Sequence, residues 1–592
     1  QPVFGGKGPL RLASVQTQTQ MQSQTAPLVS YRYNSQGDLS EVTDEHGRST
    51  RAFEYDRQHR MTGHRHLGGP WSRYTYASDE PGAKVVAHST EGGLGYQFDY
   101  QPQETIVTDS LGRTTRYGFD GEGDRKRLAR QTNALGHTTQ FVYNLYGHLV
   151  QHIDPLGRVS QYGRDAQGQL TESTPPQGKP TKVERGPGGQ VQSITRPGGA
   201  QTQLQHDRFD RLTQVTDPLG QTTRYRYPDP AKEPLIAEHP TATMDAQGGV
   251  KHLQWSSLGL LTQYTDCSGQ STVYRYDTRG RLLQVTDAQG HSLRYERDRT
   301  GQVQAVHAPD GSQTQYRWDS QGRLLQETNA QGQSVQYQYD AHGRVLQVLS
   351  VTPQAGQTPH TSALRYQWDV AGRLTRLVNE AGEHTQFEYD AADRLIRETG
   401  FDGRTHRYEW DAAGQLTASH DCANTEANAP RLSTHYRYDG AGQLTQRLVP
   451  KAPGVSPDAN ANWTDLAQVL QGHSGAWARE DHYSYDDDGQ LQSASGAGLQ
   501  VQFERDALGR TTAETVDASA TQGFKHTVRH SYHALGHRQS SQYPHAPEVS
   551  WLTYGSGHVH QVLLGQEAVV DLSRDNLHRE TGRQLLGVNP KM

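Results

Sequence analysis

Aspartates recur along this chain at a fixed spacing, and paired carboxylates are a common catalytic arrangement. Asp277, Asp298, Asp319 and Asp340 follow one another at intervals of 21 residues. Two carboxylates act as acid and base in glycoside hydrolases. Each of these four is followed three residues later by a glycine, which is the pattern of a type I turn capped by the aspartate side chain. The spacing therefore favours turn capping over catalysis.

Histidines and glycine-rich stretches offer two further candidate sites. His64 and His66 share one face of a predicted strand, and two histidines can begin a metal site. No cysteine or carboxylate nearby completes a ligand set. The stretches "GPGG" at Gly186 and "RPGG" at Arg196 lack the strand–loop–helix context of a phosphate-binding loop. The sequence predicts no metal site and no cofactor.

Arginines follow the turn glycines and could bind acidic ligands. Arg281, Arg323, Arg344 and Arg373 each stand directly after a glycine that closes a turn. A planar guanidinium pairs well with a carboxylate and stacks well on an aromatic ring. The pattern therefore favours arginines that pair with turn carboxylates and pack on neighbouring rings.

A second series of turns lies between the first, as in "DPLG" from Asp154 and "DAQG" from Asp287. Turns about ten residues apart indicate short antiparallel strands. The intervening residues alternate as strands do, with Tyr274 and Tyr276 on one face and Arg275 on the other. The predicted fold is all-β, a long antiparallel sheet of hairpins. A one-layer ribbon of this length is expected to coil into a hollow wall around a space.

The predicted structural residues fall into two groups. The turn residues are Asp277, Gly280, Arg281, Asp298, Gly301, Asp319, Gly322, Arg323, Asp340, Gly343, Arg344, Asp369, Gly372 and Arg373. The repeat aromatics are Tyr274, Tyr276, Tyr316, Trp318, Tyr337, Tyr339, Tyr366 and Trp368. No residue is predicted to be catalytic or to bind a metal. An alternative is that tryptophans such as Trp318, Trp368 and Trp410 stack on sugars.

Composition excludes several classes of protein. Only 32% of the 592 residues are hydrophobic, yet the chain has 30 Tyr, 10 Phe and 8 Trp, which argues against disorder. The net charge of −6 argues against a nucleic-acid scaffold. Cys267 and Cys422 are too few for a disulfide framework. No apolar run is long enough for a transmembrane helix.

The predicted domain organisation has two parts. Residues 1–30 are a low-complexity lead segment, and residues 31–592 form the repeat sheet. Proline- and glycine-rich stretches predict irregular insertions near 173–200, 227–250, 350–362 and 449–481. A short helix is predicted from Trp463 within the last of these.

The repeated unit, as in "YRYDTRGRLLQVTD" and "YQYDAHGRVLQVL", resembles the YD repeat of the Rhs family. The segment "VVDLSRDNLHRETGRQLL", from Val569 to Leu586, is similar to the "RD-x-LHRE" segment of bacterial Rhs cores. A catalytic interpretation of Asp575 and His578 in this segment would need Ser573 as a nucleophile, and the resemblance favours a structural role. The resemblance implies a sheet that spirals into a closed cocoon around a C-terminal toxin domain.

The chain departs from the full family pattern at both ends. No PAAR-type domain is evident near its start, and the sequence ends shortly after "RDNLHRE". In the family a terminal "DPxGL" segment supplies an aspartyl-protease function. Asp154 and Asp217 also begin "DPLG", but they stand at regular turn positions and are interpreted as turns. We expect a shell truncated before the autoproteolysis segment and the toxin.

The expected function is therefore a non-enzymatic shell that holds and shields a toxin for delivery to competitor cells. The resemblance implies as partners the enclosed toxin, an immunity protein, a PAAR/VgrG-type spike and an Eag-type chaperone, with no nucleic acid and no membrane span. It implies a cytoplasmic location followed by type VI-type secretion. The alternative function is a cell-surface adhesion or carbohydrate-binding repeat protein.

Overall fold

The computed structural model describes residues 12–15, 27–422, 430–450, 477–519 and 521–587. Apart from two short 3-10 helices, Gly123–Arg125 and Pro234–Ile236, the regular structure of these residues is strand. The 49 strands formed by the described residues belong to one sheet, and the pairings within it are antiparallel between strands adjacent in the chain. The prediction of an all-β antiparallel hairpin sheet is confirmed.

The first half of the sheet consists of β1 (Ser14–Val15), β2 (Val29–Tyr33), β3 (Leu39–Asp44), β4 (Ser49–Tyr55), β5 (Met61–His66), β6 (Ser72–Tyr76), β7 (Val85–Thr90), β8 (Gly95–Tyr100), β9 (Glu104–Asp109), β10 (Thr114–Asp120), β11 (Arg127–Thr132), β12 (Thr138–Tyr143), β13 (Leu149–Ile153), β14 (Val159–Arg164), β15 (Leu170–Thr174), β16 (Thr181–Arg185), β17 (Val191–Thr195), β18 (Gln201–His206), β19 (Leu212–Thr216), β20 (Thr222–Arg226), β21 (Ala242–Met244), β22 (Val250–Trp255), β23 (Leu261–Thr265) and β24 (Ser271–Tyr276).

The second half consists of β25 (Leu282–Thr286), β26 (Ser292–Arg297), β27 (Val303–His307), β28 (Gln313–Trp318), β29 (Leu324–Thr328), β30 (Ser334–Tyr339), β31 (Val345–Thr352), β32 (His360–Trp368), β33 (Leu374–Val378), β34 (His384–Tyr389), β35 (Leu395–Thr399), β36 (Thr405–Trp410), β37 (Leu416–Cys422), β38 (Pro430–Tyr438), β39 (Leu444–Pro450), β40 (Trp477–Tyr485), β41 (Leu491–Gly496), β42 (Leu499–Arg505), β43 (Thr511–Asp517), β44 (Lys525–Tyr532), β45 (Arg538–Gln542), β46 (Val549–Tyr554), β47 (His558–Leu564), β48 (Glu567–Arg574) and β49 (Glu580–Leu585).

The register sorts side chains onto two different faces. In the hairpin of β24 and β25, Tyr274 pairs with Val285 on one face, and Arg275 pairs with Gln284 on the other. The register then shifts between Arg275 and Tyr276, just before the turn. Such β-bulges increase the local twist of a sheet. The same shift recurs before the turn in other hairpins, for example between Arg317 and Trp318.

The sheet has very little conventional core. Among the described residues, Leu448 is the largest fully buried side chain. The buried apolar residues are otherwise small: Ala237, Ala242, Ala305, Ala418, Cys422, Ala513 and Ala518. Backbone pairing and contacts between side chains on neighbouring strands must therefore provide most of the stability.

The residues group into two compact units. Unit 1 comprises the described residues of Gln1–Gln140, Glu296–His307 and Ser312–Arg407. Unit 2 comprises those of Phe141–Tyr295, Ala308–Gly311 and Tyr408–Met592. Each unit therefore brings together parts of the sheet that are far apart in the chain.

The segments predicted as irregular insertions have different structures. The stretch near 173–200 contains the ordinary strands β16 and β17, because its prolines and glycines fall in the turns. The stretch near 227–250 contains the second 3-10 helix and the short strand β21. Near 350–362 the hairpin is longer, with β31 and β32 extended to 8 and 9 residues.

Two predictions concern residues that the structure describes only in part. The insertion near 449–481 is described only up to Pro450 and from Trp477 onward, and the helix predicted from Trp463 lies outside the described residues. Of the lead segment, β1 and the beginning of β2 are described, and these two strands pair with each other.

Candidate functional site

The repeat turn is the unit from which the candidate site is built. In the turn after β28, Asp319 Oδ1 accepts hydrogen bonds from the backbone N–H groups of Gln321, at 2.8 Å, and Arg323, at 2.9 Å. Asp319 Oδ2 accepts a third bond from Arg323 Nε at 2.6 Å. Gly322 has a φ of 87°, a value that glycine adopts without strain. One carboxylate thus holds the whole turn.

The same bonds recur in the other predicted turns that carry arginine. Asp277, Asp340 and Asp369 each accept from the backbone N–H and the Nε of the arginine four residues later. Asp298 precedes Gln302 instead, and accepts a bond from its backbone N–H. Every glycine predicted to close a turn has a φ between 78° and 92°.

Electrostatics agree with an ionised turn carboxylate. Burial opposes ionisation of Asp319, but the Arg323 backbone N–H and guanidinium outweigh it and hold the pKa of Asp319 below its ordinary value. Asp277 and Asp340 have pKa values lowered by the same balance, with Arg281 and Arg344 as donors. A general acid needs a raised pKa, so these carboxylates are poorly suited to that role.

The arginines also join one turn to the next. Arg323 Nη1 donates to the backbone oxygen of Asp340 at 2.9 Å, and Arg344 Nη1 donates to that of Asp369 at 2.8 Å. The Arg323 guanidinium lies 4.9 Å from the centre of the Tyr339 ring. Successive turns along this edge are therefore linked by charge-assisted hydrogen bonds and cation–π contacts.

The second aromatic of several repeats makes a hydrogen bond that strand alternation does not predict. Tyr339 Oη donates to the backbone oxygen of Leu324, and Trp318 Nε1 donates to that of Val303, at 2.8 and 2.7 Å. Tyr276 and Trp368 make the same kind of bond. Arg164 occupies the equivalent position and donates from Nε to the Leu149 oxygen at 3.0 Å.

The shared requirement at this position is therefore a flat side chain with a terminal donor. The sequence contains a signal for this requirement, because Tyr, Trp and Arg all occur at this one repeat position, with Trp318 and Trp368 among them. The first aromatics, Tyr316, Tyr337 and Tyr366, stack on the second at centroid distances of 6.4 to 6.5 Å. Trp410 is half-buried at the end of β36. Trp318 and Trp368 are thus engaged in packing within the sheet.

We expect Tyr339→Phe to lower the free energy of unfolding by about 1 kcal/mol, because the Leu324 carbonyl loses its donor. Tyr337→Phe, on the same strand, should change it by less than about 0.5 kcal/mol, because no described residue is a hydrogen-bond partner of the Tyr337 hydroxyl. Urea unfolding of both variants measures the difference. Equal effects of the two substitutions would contradict the assigned bond.

A few turns carry another residue where glycine is usual. The described non-glycine residues with positive φ are His59, Asp210, Asp393, Ala497, His545 and His578. Asp393, in unit 1, accepts a bond from Arg373 Nη1 at 2.9 Å and another from Arg113, 280 residues away in the chain. His59 Nδ1 lies 2.7 Å from Asp38 Oδ1. At these positions the unusual side chain bonds to a different turn.

Contacts between distant turns are common in unit 2. Gly440 N donates to Gln177 Oε1 at 2.8 Å across 263 residues, and Gly198 N donates to Asp488 Oδ1 at 2.8 Å across 290 residues. Lys179 Nζ lies 2.6 Å from Asp487 Oδ2. An earlier run of turns in this unit therefore lies against a later run.

The remaining candidates from the sequence are a pair of histidines and the two aspartates that begin "DPLG". His64 and His66 lie edge to face with ring centroids 6.0 Å apart, and no group of three potential metal ligands exists among the described residues. Asp154 and Asp217 cap their turns as the other aspartates do. No helix in the described part of the chain is long and apolar enough to span a membrane.

The "RDNLHRE" segment forms another repeat turn. Asp575 Oδ1 caps it by accepting from the backbone N–H groups of Leu577 and Arg579. Ser573 lies in β48 and pairs with Gly582 of β49. The His578 ring instead contacts Asp266, Tyr554 and His558.

The fold and its turns define an antiparallel β-sheet protein built from capped hairpin repeats. The model of the RHS Repeat family matches eleven segments that together cover more than half of the chain, and the chain belongs to this family. The matched residues are 33–70, 124–159, 143–182, 187–222, 206–235, 255–292, 297–334, 318–358, 368–405, 389–429 and 410–451.

Named relatives share parts of the chain. It is 36% identical over 233 residues to the toxin protein Tse5 of Pseudomonas aeruginosa, a match that covers 39% of this chain and 17% of that protein. It is 33% identical over 128 residues to the probable deoxyribonuclease RhsB of Dickeya dadantii, covering 22% of this chain and 8% of the relative. The match thus spans well under two thirds of either relative.

Solved structures share the fold. The crystal structure of TcdB2-TccC3-TEV aligns with a TM-score of 0.55 and 15% identity over 92% of this chain and 33% of that one. At this level of identity the likeness concerns the fold alone.

Proposed function

We propose that this chain is part of a non-enzymatic shell that encloses and shields a toxin polypeptide. The observation that carries the proposal is the contact between distant turns: in each unit, parts of the sheet 260 to 310 residues apart in sequence hydrogen-bond to one another, as Gln177 does with Gly440. A sheet that returns onto itself in this way has the contacts that a closed wall requires.

Two further features support a containing role. Few apolar side chains of the described residues are fully buried, so the sheet does not depend on a conventional core that would fill the enclosed space. The turn carboxylates, which are the repeated ionisable groups, are occupied in capping and ion pairs. Relatives are named as a toxin and a probable deoxyribonuclease, and we infer that such an activity belongs to the contents of the shell.

The proposed partners follow from this role. They are the enclosed toxin, its immunity protein, and a spike and chaperone that would take part in delivery. The proposed path is from the cytoplasm of the producing cell, through a type VI-type secretion system, to a competitor cell.

Protection from protease tests the proposal. We would express the chain with an inactivated toxin domain of an RHS family relative fused after Met592, and digest the fusion beside the free toxin domain. The expected result is that the fused domain survives protease concentrations that destroy the free one. Equal digestion of both would overturn containment.

A glycan array probed with the chain alone would reveal the adhesion alternative, and Trp318→Ala and Trp368→Ala are the variants that would test it.

A further inference from the structure

His578 occupies a position that costs backbone energy. It stands where other repeat turns have glycine and has a φ of 61°. A side chain in this left-handed region is strained by about 1 kcal/mol. Its ring is largely buried, with 11% of the side chain exposed, and so is Asp266, with 15% exposed. The contacts of the ring must offset the strain.

Those contacts join two turns that are 312 residues apart within unit 2. His578 Nε2 lies 2.8 Å from Asp266 Oδ2, and Tyr554 Oη lies 2.9 Å from His578 Nδ1. A carboxylate only accepts, so Nε2 carries the hydrogen of the first bond. Asp266 Oδ1 meanwhile caps its own turn by accepting from the backbone N–H groups of Ser268 and Gln270. The two oxygens of Asp266 therefore have separate tasks.

A second histidine lies against the first. The His558 ring stacks on His578 with centroids 3.8 Å apart and planes 12° from parallel. Burial lowers the pKa of His558, and the neighbouring His578 ring lowers it further. Two stacked imidazolium rings repel each other, so protonation of His558 acts against the stack.

The described ionisable groups around the pair come from several elements. They are Asp266 and Cys267 in the opposite turn, His537, Tyr554 at the end of β46, His560 in β47, Arg574 at the end of β48, and Asp575 and Arg579 in the turn of His578 itself. Among the described residues, Asp266 is the carboxylate that contacts the ring. Burial opposes its ionisation, but hydrogen bonds from His578 and from its own turn outweigh burial and lower the pKa of Asp266.

We propose that the stacked His558–His578 pair is a proton-sensitive clasp that holds the turn at 575–578 against the turn at 266–269 and releases it on acidification. The pKa of His558 is lower in the folded state than in the unfolded state. Its contribution to the stability of the folded state is therefore fully present above the ordinary histidine range near pH 6.5. That contribution is lost as pH falls toward the lowered pKa. The pKa of Asp266 is lowered, so this carboxylate remains charged throughout the window and the change comes from His558.

His578→Gly is the first test, because it installs the residue that most other turns carry. A residue with only a turn-forming role would leave the protein unchanged or slightly more stable. The clasp predicts instead that amide exchange at 266–270 rises about tenfold at pH 7.5, the effect of losing one charge-assisted hydrogen bond. Asp266→Asn keeps the capping oxygen and removes the charge. It should raise amide exchange in both turns, at 266–270 and at 575–580.

His558→Phe tests the proton dependence, since it keeps a flat ring and removes the titration. The wild-type protein should exchange faster at 266–270 and 575–580 at pH 5.5 than at pH 7.5, after correction for intrinsic rates, and His558→Phe should not.

A disulfide from Cys267 provides a further test. Cys267 Sγ lies 3.2 Å from Ser556 Oγ, so Ser556→Cys places two thiols within reach of a disulfide. Its oxidised form should stay protected at pH 5.5. Unchanged exchange in His578→Gly, or persistent acid sensitivity in His558→Phe, would overturn the clasp.

Discussion

Asp319→Ala is expected to lower the free energy of unfolding by about 2–3 kcal/mol. The substitution removes two hydrogen bonds to backbone N–H groups and the 2.6 Å ion pair with Arg323, whose side chain is only 26% exposed. It leaves a part-buried guanidinium without its carboxylate. Urea unfolding and amide exchange of residues 313–345 measure the global and the local effect.

Asp319→Asn is the matched control. Natural turns of this chain open with asparagine, and Asn329 Oδ1 accepts the same two backbone bonds, from Gln331 and Gln333. Asp319→Asn should therefore cost only about 1 kcal/mol, the part due to the ion pair. If alanine and asparagine have equal effects, the backbone caps contribute nothing and the assigned role of the turn is wrong.

Gly322→Val should cost about 1–2 kcal/mol, less than Asp319→Ala. The added Cβ would lie at a φ of 87° and 3.1 Å from Gln302 Nε2, the end of a flexible side chain that can move. From the sequence alone, Gly322→Val is expected to cost more than Asp319→Ala, because the sequence indicates one capping bond. In the structure the Asp319 carboxylate accepts three hydrogen bonds.

Acidification is expected to destabilise the protein well above the pH at which the turn carboxylates titrate. Burial, and then the charge of His420, lower the pKa of His435 to about 4, and only 7% of His435 is exposed. A pKa lowered from 6.5 to about 4 means that the unfolded chain binds the proton first. His435 alone therefore lowers stability by about 2 kcal/mol between pH 7.5 and pH 5.

Other histidines act in the same direction. His64, His88, His530 and His558 also have pKa values lowered chiefly by burial. The turn aspartates have lowered pKa values, so their contribution is lost only below about pH 4. Melting temperatures from pH 8 to pH 5 test this. His435→Gln should flatten the pH dependence, while His360→Gln, at an exposed site, should not. A steady melting temperature across this range would contradict the assignment.

Local features of the fold could be predicted from the sequence because they lie within a few residues. The Asp and Gly of a turn such as 319–322 are three residues apart, and strand alternation shows which side chains share a face. The bond from Tyr339 to the Leu324 oxygen escaped prediction, because alternation says nothing about what a hydroxyl reaches on a neighbouring strand.

Contacts between distant turns could not be predicted, because they depend on twist that accumulates over many strands and bulges. Arg113 meets Asp393, and Asp266 meets His578, only because the sheet between them has a particular curvature. One local signal did exist. Asp393 and His578 break the glycine pattern, and a strained residue in a regular repeat indicates that its side chain has another task.

The proposed enclosure of a toxin polypeptide is the central claim, and electron cryo-microscopy of the chain fused to an inactivated toxin domain tests it most directly. Enclosure predicts density for the added polypeptide on the inner side of the sheet, bounded by the contacts between distant turns such as Gln177 with Gly440 and Asp266 with His578. Density for the added domain outside the sheet, with both faces of the sheet in solvent, would contradict it.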